Sequence, residues 1–395
     1  MNQNSWHLIT SEYPPQIGGV SDYTKLIAKG LADFGEQVHV WTPKEQEAGV
    51  RSRESEIVKE GVTVHREFGS FAPSDLLRVT KLLNQFPAPR RLLVQWVPHG
   101  YGYRSMNIAF CFWLWCRAKL KRDRVELMVH EPFLAFGEGS AKQSMAAAVH
   151  RLMVVILLQA ASHVWVSIPE WEDKLRPFAF GKKKSFSALP VPSNIAVVDD
   201  PHGVARVRAQ YADANTHLVG HFGAYDEYMT NVMSKILPSL VNGDGSVRVL
   251  LIGNGSSELR DKFIESHPEI KDSVHATGMM PADDISLRIS ACDLMLQPYQ
   301  DGVSGRRTSV MTALAHGVPV LTTEGKATEK CWTENDVVQF MKVNGDASSI
   351  DTVNSLLANS DQLLRLGKAG RRLYWNCFAV KRTVASLRDT EGSES

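Results

Sequence analysis

The stretch QPYQDGVSGRRTSVMTALAHGVPVLTT, from Gln297 to Thr323, decides the fold of this chain. The segment before it, Ala291–Leu296 (ACDLML), is short and apolar, as is typical of a buried parallel strand. Two glycines and a serine within Asp301–Gly305 predict a tight turn, because glycine adopts backbone angles that other residues avoid. Helical spacing follows, and Val318–Thr323 is again typical of a strand. The stretch therefore predicts a strand–turn–helix–strand unit of a parallel α/β sheet.

The turn and the helix start of this stretch form a candidate anion site. Thr308 and Ser309 are residue types that cap helices, and Gly317 ends the helical pattern. A helix N-terminus presents unpaired backbone N–H groups and the positive end of the helix dipole. Arg306 and Arg307 add two guanidinium groups, which suit diphosphate oxygens. We interpret the stretch as a diphosphate cradle, and a loop with two solvated arginines is the alternative that the spacing leaves open.

Composition bounds the class of protein. The chain has 395 residues, 44% of them hydrophobic and 22% charged, which fits two globular α/β domains. A net charge of +1 argues against a nucleic-acid partner. The apolar runs Ile108–Cys116 and Leu152–Ala161 are shorter than the roughly 18 residues of a membrane helix, and MNQNSWHLIT does not resemble a signal peptide. Five scattered cysteines without C-x-x-C spacing look like reduced packing residues, so we expect a cytoplasmic protein.

The rest of the chain alternates strands and helices in two halves. The predicted strands are Trp6–Thr10, Val38–Thr42, Arg91–Val97, Val125–Val129 and Val164–Ser167, then Leu218–Phe222, Val247–Ile252 and Val274–Thr277. A long helix over Ala146–Ala161 is expected to be buried, and Pro190–Gly203 is a candidate linker. We expect an N-terminal domain over 1–195, a C-terminal domain over 196–376, and a final helix over 377–395 that packs toward the N-terminal domain.

Six motifs, in this order, resemble those of the family 4 glycosyltransferases of the GT-B class. They are EYPPQIGGVSDYT (12–24), VHEPF (129–133), VGHFGAY (219–225), LLIGNG (250–255), VHATGMMPADDISLRISACDLMLQPY (274–299) and the opening stretch with its AHGVPVLTT end. The resemblance implies two Rossmann-like domains whose parallel sheets face a central cleft, the N-terminal one binding the acceptor. It also implies transfer of a sugar from a nucleotide-diphosphate donor, with the anomeric configuration retained and the donor sugar as co-substrate, without a tightly bound cofactor.

The resemblance assigns roles to particular residues. His130 matches the family histidine beside the transferred sugar, and with Arg306 and Arg307 it is a candidate catalytic residue; Glu131 is expected on the acceptor side. A lone histidine at a strand end is often structural, and that reading stays open. The candidate donor-binding residues are Gly18, Gly19, Gly223, Gly253, Ser304, Gly305, Thr308 and Thr312. No D-x-D or H-E-x-x-H motif occurs, so we expect no metal site.

Two departures from the family pattern stand out. Family members usually carry two glutamates eight positions apart, one facing the sugar and one the ribose, where this chain has Ser304 and Thr312. The usual Arg and Lys after the first glycine of the donor domain are also missing, since Gly223–Asn231 contains no basic residue. A diphosphate leaving group needs positive charge to stabilise it. We therefore expect Arg306 and Arg307 to replace the missing pair.

Several functions stay open from the sequence. The leading hypothesis is a retaining glycosyltransferase that acts on a glycan, lipid-linked or small-molecule acceptor. The alternatives are a catalytically weak pseudoenzyme that binds a sugar nucleotide or a partner transferase, and a nucleotide-sugar isomerase. The segment Phe112–Arg124 places aromatic beside basic residues. It is typical of a helix at the inner face of a membrane, which would give peripheral membrane association, or of a core helix with a cationic end.

Overall fold

The chain forms two compact α/β units. A computed structural model describes residues 5–44, 56–58, 61–137, 140–181, 184–241, 245–342 and 347–389. One unit comprises Met1–Pro190 with Thr383–Ser395, and the other comprises Val191–Arg382. Each unit contains one β-sheet, and helices follow most strands. The predicted fold class, two Rossmann-like units with parallel sheets, is therefore confirmed.

The first unit has an eight-stranded sheet within the described residues. Its strands are β1 (Trp6–Ile9), β2 (Val38–Pro43), β3 (Glu56–Val58), β4 (Val62–Phe68), β5 (Arg91–Trp96), β6 (Arg124–Val129), β7 (His163–Val166) and β8 (Ser185–Ala188). The order across the sheet is β3-β4-β2-β1-β5-β6-β7-β8. All neighbours are parallel except β3, which is antiparallel to β4. This edge strand is the exception to the purely parallel sheet that the sequence predicts.

Five helices of the first unit alternate with these strands in the described part of the chain. They are α1 (Gly19–Asp33), α2 (Pro73–Leu83), α3 (Ile108–Leu120), α4 (Ala141–Ala160) and α5 (Pro169–Leu175), with short 3-10 turns at Tyr103–Ser105 and Arg176–Phe178. The segment between the second and third predicted strands, where the sequence predicts no element, forms β3, β4 and α2. Residues of β4 alternate between buried and partly buried positions, so its apolar signal is interrupted by polar side chains.

The second unit has a six-stranded parallel sheet in the residues that the structure covers. Its strands are β9 (His217–Phe222), β10 (Val247–Ile252), β11 (Val274–Ala276), β12 (Leu294–Gln297), β13 (Val320–Thr323) and β14 (Gln339–Met341). Its helices are α6 (Pro201–Arg208), α7 (Glu227–Val241), α8 (Ser256–Ser266), α9 (Ala282–Ala291), α10 (Thr308–His316), α11 (Lys330–Glu334), α12 (Ala347–Leu357) and α13 (Ser360–Leu373). A 3-10 turn lies at Pro268–Ile270 and a π-helical turn at Tyr374–Phe378, before α14 (Val380–Asp389).

The strand order determines at which edge of each sheet a ligand can bind. The second sheet has the order β11-β10-β9-β12-β13-β14, so the chain moves outward in one direction from β9 and in the other from β12. Helices after β9 and after β12 therefore pack on opposite faces, which leaves a crevice at the carboxyl ends of these two strands. In the first sheet the same reversal occurs between β1 and β5. These two edges are the expected ligand positions.

Helix α4 differs from its prediction as a fully buried helix. Met153, Val154 and Leu157 belong to the core of the first unit, whereas Met145 and Leu152 are about half exposed. By length and composition alone, this helix could cross a membrane. The expectation that every apolar segment is too short to do so is therefore wrong for α4. Burial of one face in a soluble core accounts for an apolar helix of this length equally well.

A buried charge network organises the first sheet. Glu126 on β6 is fully buried, and its carboxylate accepts hydrogen bonds from Arg91 Nε at 2.7 Å and Trp165 Nε1 at 2.9 Å. Arg91 also stacks on the Trp6 ring and donates to the carbonyl of Leu387 in α14. A carboxylate between two strands and the terminal helix therefore ties these elements of the unit together, because a buried charge is stable only when it is paired.

We predict that Glu126→Ala lowers the free energy of unfolding of the first unit by about 3–5 kcal/mol, the scale for removing one partner of a buried ion pair. The Arg91 guanidinium and the Trp165 indole would lose their shared acceptor. Urea denaturation followed by tryptophan fluorescence measures the change. As a control, Glu172→Ala breaks an exposed pair with Arg176 and should change stability by less than about 0.5 kcal/mol. Equal small effects of both variants would contradict this role of Glu126.

Candidate active site

A cavity of about 380 Å³ lies in the second unit at the crevice between β9 and β12. The end of β9 contributes His221 and Gly223, and the end of β12 contributes Gln297 and Tyr299. This position follows from the reversal of strand order at these two strands. The cavity is therefore formed by the residues that directly follow or end two buried strands.

The opening stretch of the sequence supplies the third wall of this cavity. Arg306, Arg307, Thr308 and Ser309 line it, and Arg307 is the N-cap residue of α10. The N-terminus of α10 therefore opens into the cavity with its unpaired N–H groups. Thr308 is the first helical residue instead of the cap that its residue type suggests, because the turn before it continues through Arg307.

Both arginines are held in place within the second unit. Arg306 Nη2 lies 3.5 Å from Asp301 Oδ2, and the Arg307 guanidinium stacks on the Tyr299 ring at 4.7 Å from its centroid. Burial and the neighbouring charge of Arg306 lower the pKa of Arg307. Among the described residues no carboxylate lies within 4.0 Å of Arg307. Asp226 and Asp301 also line the cavity, so Arg307 is the arginine there that is more available to an anion.

Tyr299 and His221 are residues of this cavity that the sequence analysis missed. The Tyr299 hydroxyl is hydrogen-bonded to Ser309 Oγ at 2.7 Å, and burial raises the pKa of Tyr299 to about 12. His221 is almost fully buried, and burial lowers its pKa to about 3, so it is neutral at pH 7. Its Nδ1 atom has no hydrogen-bond partner in the described structure. Their places at carboxyl ends of strands were the signal that could have identified both.

The resemblance predicts glutamates at positions 304 and 312, and the Ser304 and Thr312 found there lie inside the second unit. Ser304 is fully buried and its hydroxyl has no partner among the described residues. Thr312 is also fully buried, where its hydroxyl donates to Thr308 O at 2.8 Å and lies 3.0 Å from Ser193 Oγ. Neither side chain lines the cavity that contains Arg306 and Arg307. The structure brings the arginines and Thr308 together with Gly223, and it places these two hydroxyls behind them.

The candidate donor-binding glycines of the second unit differ in their structural surroundings. Gly253 has a φ of +116°, and a Cβ on it would lie 2.4 Å from the Gly223 carbonyl oxygen. The turns after β9 and β10 can therefore touch only because Gly253 has no side chain. Gly305 is buried within the Ser304–Arg307 turn. Gly223 lines the cavity, whereas Gly253 lies against it from behind.

The Gly18–Gly19 loop of the first unit follows β1 and starts α1. A Cβ on Gly18 would lie 2.3 Å from Glu12 Oε1, whereas one on Gly19 would meet nothing within 4 Å. Glu12 Oε1 accepts a hydrogen bond from Ser21 N at 2.9 Å. A side chain at position 18 would therefore have to displace the carboxylate that holds the first turn of α1. Glu12 is a further residue that the sequence analysis did not single out.

His130 directly follows β6, as predicted, and is held on several sides within the first unit. Its Nε2 lies 2.9 Å from Gln95 Oε1, and its carbonyl accepts from Trp171 Nε1 at 2.9 Å. The Tyr23 ring packs edge-on against the imidazole at 4.8 Å. Burial lowers the pKa of His130 to about 4, so the ring is neutral at pH 7. With Gln95 accepting from Nε2–H, the Nδ1 atom is left as an acceptor.

Glu131 is half exposed, and its carboxylate lies 3.8 Å from His99 Nδ1. Its predicted place on the acceptor side stays a prediction, and its position directly after His130 puts it at the carboxyl end of β6. Within the part of the chain that the structure describes, no group of three or more His, Cys, Asp and Glu side chains is placed to hold a metal ion.

Two family models match the chain. A model described as Glycosyl transferase 4-like domain matches residues 18–190, and one described as Glycosyl transferases group 1 matches residues 207–359. Between them they cover most of both units. The chain is a GT-B glycosyltransferase of the family 4 type. No curated protein matches the sequence.

Solved structures share the fold of this glycosyltransferase over nearly its whole length. Sucrose-phosphate synthase from Thermosynechococcus elongatus has a TM-score of 0.71 at 16% identity, with 98% of each chain covered. HepE from Anabaena in complex with UDP-glucose has a TM-score of 0.65 at 15% identity, covering 98% of this chain and 99% of that one. A structure described as trehalose-6-phosphate from E. coli, bound with UDP-2-fluoro glucose, has a TM-score of 0.67 at 11% identity, and the match covers 99% of this chain and 100% of that one. At these identities the likeness establishes the fold.

We predict that Gly253→Ala destabilises the second unit of the glycosyltransferase by about 2–5 kcal/mol. Backbone strain at positive φ contributes about 1–2 kcal/mol, and crowding against the Gly223 carbonyl adds about 1–3 kcal/mol. Chemical denaturation measures the loss. Gly245→Ala is the matched control, since Gly245 also has positive φ (+78°) but a Cβ there would meet nothing within 4 Å. If the two variants lose the same stability, close approach of the two turns is not the reason for Gly253.

Proposed function

We propose that this glycosyltransferase transfers a sugar from a nucleoside diphosphate sugar with retention of the anomeric configuration. The donor diphosphate would bind in the cavity of the second unit. One observation carries the proposal: Arg306, Arg307 and the N-terminus of α10 line the same cavity as the Gly223 turn. This is the edge of the sheet where the family pattern would have its basic pair. The arginines of the opening stretch are therefore candidates to replace it.

The charges around the cavity suit a diphosphate. Two guanidinium groups next to each other in sequence repel one another, and burial of Arg307 increases the cost of keeping it charged. A bound diphosphate would remove that cost and would accept hydrogen bonds from both forks. The same groups would stabilise the negative charge that develops on the leaving phosphate during transfer. HepE and the E. coli structure are described with UDP sugars, which supports uridine as the first base to test.

The chemistry we propose needs few protein groups. The bond between the sugar C1 and the phosphate oxygen breaks, a bond between C1 and the acceptor oxygen forms on the same face, and the acceptor proton passes to the leaving phosphate. His130 is neutral and held by Gln95, so its Nδ1 atom would accept a hydrogen bond from a sugar or acceptor hydroxyl. His130 would orient the reactants in this scheme, and Arg306 with Arg307 would stabilise charge.

The two alternatives are less well supported. A catalytically weak pseudoenzyme was motivated by Ser304 and Thr312, yet the arginine pair still lines the donor cavity. An isomerase of nucleotide sugars would need no acceptor, and it remains distinguishable by an epimerised donor in the absence of acceptor. Neither alternative is favoured over glycosyl transfer by a specific feature of the described residues.

An exposed apolar surface supports a lipid-linked acceptor. Helices α3 and α4 pack together, and they expose Ile108, Phe112, Leu120, Met145 and Leu152. Lys119, Lys121 and Arg122 are exposed at the end of α3. The opposite face of α3 is buried, so this helix combines the two readings that its sequence allowed. We propose that this surface, the α3–α4 face, binds the anionic cytoplasmic side of a membrane.

We predict that UDP stabilises the protein and that Arg307→Ala weakens UDP binding by about 1.5–3 kcal/mol, the scale of a charged hydrogen bond. At about 100 times its Kd, UDP should add roughly 2.7 kcal/mol to the stability of the wild type. Thermal shift against UDP, GDP, ADP and TDP selects the base, and calorimetry gives the affinities. Arg206→Ala, which removes an exposed arginine of the same unit, should bind as the wild type does.

We also predict the effect of His130→Ala on UDP binding and on sugar transfer. It should leave UDP affinity unchanged while sugar transfer falls, because the residue lies in the first unit and the cavity in the second. Failure of every nucleotide to shift the melting temperature of the wild type would end the donor assignment.

We predict that the wild type binds vesicles containing phosphatidylglycerol and that Phe112→Ser with Leu152→Ser weakens this binding about 10-fold or more. Partial burial of two such side chains contributes about 1–3 kcal/mol in total. Vesicle flotation at low and high salt measures binding, which should decrease with salt because the basic residues contribute. Leu77→Ser, an exposed leucine on α2, is the control and should have no effect. A wild type that stays unbound at low salt would contradict membrane association.

A further inference from the structure

The Ser304–Arg307 turn is fixed through the backbone of one residue. Arg307 N donates to Ser304 O at 3.1 Å, which closes a four-residue turn with Gly305 and Arg306 at its centre. The turn itself uses neither the N–H nor the C=O of Gly305. Both are bonded elsewhere, since the carbonyl accepts from Val191 N at 2.9 Å and the N–H donates to Glu329. The residue that precedes the arginine pair is therefore held by its N–H and by its C=O.

Glu329 reaches this turn from a different element. It is the N-cap residue of α11, and both of its carboxylate oxygens lie within hydrogen-bond distance of Gly305 N, at 2.9 and 3.2 Å. Trp332 Nε1 donates to the same carboxylate at 2.7 Å. Trp332 is fully buried and stacks on Phe378, so it cannot move away from the carboxylate without opening the core. The acceptor of the Gly305 N–H is thus rigidly placed.

Partial burial makes the charged form of the Glu329 carboxylate less stable than it would be in water. Burial raises the pKa of Glu329, while the two N–H donors and the nearby charge of Arg306 oppose that rise. A neutral acceptor such as a glutamine oxygen could satisfy the Gly305 N–H alone. The carboxylate bonds to a turn in which the resemblance predicts a glutamate at position 304, where this chain has a serine. The negative charge of Glu329 partly offsets the nearby positive charge of Arg306.

We propose that Glu329 is a positioning residue for the donor diphosphate. By holding the Gly305 N–H, it fixes the turn whose next two residues, Arg306 and Arg307, present their guanidinium groups to the cavity. Glu329 does not line the cavity, so it would act on the donor only through the turn. The proposal rests on the proposed donor site and adds a residue to it.

A purely structural role for Glu329 makes a different prediction. If the carboxylate only satisfied the Trp332 indole, its loss would reduce stability but would change the affinities for UDP and UMP by the same factor. If Glu329 positions the arginines, its removal should weaken the binding of UDP more than that of UMP. The displaced arginine turn would contact the diphosphate, and UMP has only one phosphate. The ratio of the UDP and UMP affinities therefore separates the two roles.

The test is calorimetric titration of UDP and UMP into full-length variants. Glu329→Ala should weaken UDP binding about 5- to 30-fold and UMP binding less, the scale for losing one buried hydrogen bond. Glu329→Gln keeps an oxygen acceptor for Gly305 but removes the negative charge and the acceptor for Trp332, so it should bind UDP more tightly than Glu329→Ala and less tightly than the wild type. Glu334→Ala, an exposed glutamate of the same helix, should bind as the wild type does.

The outcomes are distinguishable from failure of the donor site itself. If Glu329→Ala does not fold, Glu329→Asp replaces it; the shorter side chain withdraws the carboxylate from Gly305, and weak UDP binding is again expected. UDP binding that is unchanged in the Ala or Asp variant but lost in Arg307→Ala would overturn the role of Glu329 and leave the donor site intact. Equal losses for UDP and UMP would reduce Glu329 to a structural residue. A wild type that binds no nucleoside diphosphate would remove the donor site and this inference together.

Discussion

The reversal of strand order between β9 and β12 is the constraint on which the candidate donor site depends. Parallel strands need helical crossovers, and crossovers in opposite directions leave the carboxyl ends of these two strands uncovered. His221 and Gly223 end one strand, while Gln297 and Tyr299 end the other. The order in which the strands are connected therefore determines where the cavity of the second unit lies. The side chains that line it determine which ligand it binds.

Charge balance around one turn gives that cavity its chemistry. Arg306 and Arg307 lie where a turn enters α10, and Tyr299, Asp301 and the partly buried carboxylate of Glu329 surround the turn within the same unit. In the first unit Glu12 similarly holds the N–H of Ser21 beneath the Gly18 loop. Both loops use a carboxylate to hold backbone N–H groups, which fixes glycine-rich segments that have few side-chain contacts of their own.

The resemblance predicts glutamates at positions 304 and 312, where this chain has a serine and a threonine. Ser304 and Thr312 are small enough to be buried, and Thr312 bonds to Ser193 behind the cavity. The carboxylate nearest to the Gly305 peptide comes from α11 instead. A donor would therefore meet guanidinium groups and the N-terminus of α10 at this wall, and recognition of its sugar and ribose hydroxyls would fall to other residues of the cavity, such as Asp226 or Asn194.

The sequence by itself determined the alternation of strands and helices, the two-unit architecture, and the arginine turn at a helix start, because apolar periodicity and glycine punctuation are local signals. The elements it missed include β4 and α2, whose apolar pattern is mixed with polar residues, and also β3, β8, β14, α5, α6 and α11. Only the tertiary structure decided that His221 and Tyr299 share a cavity with Arg307, that Thr312 turns away from it, and that Glu329 reaches Gly305 across 24 positions of chain. Such pairings depend on which strand ends and turns become neighbours, and sequence spacing does not specify contacts between distant segments.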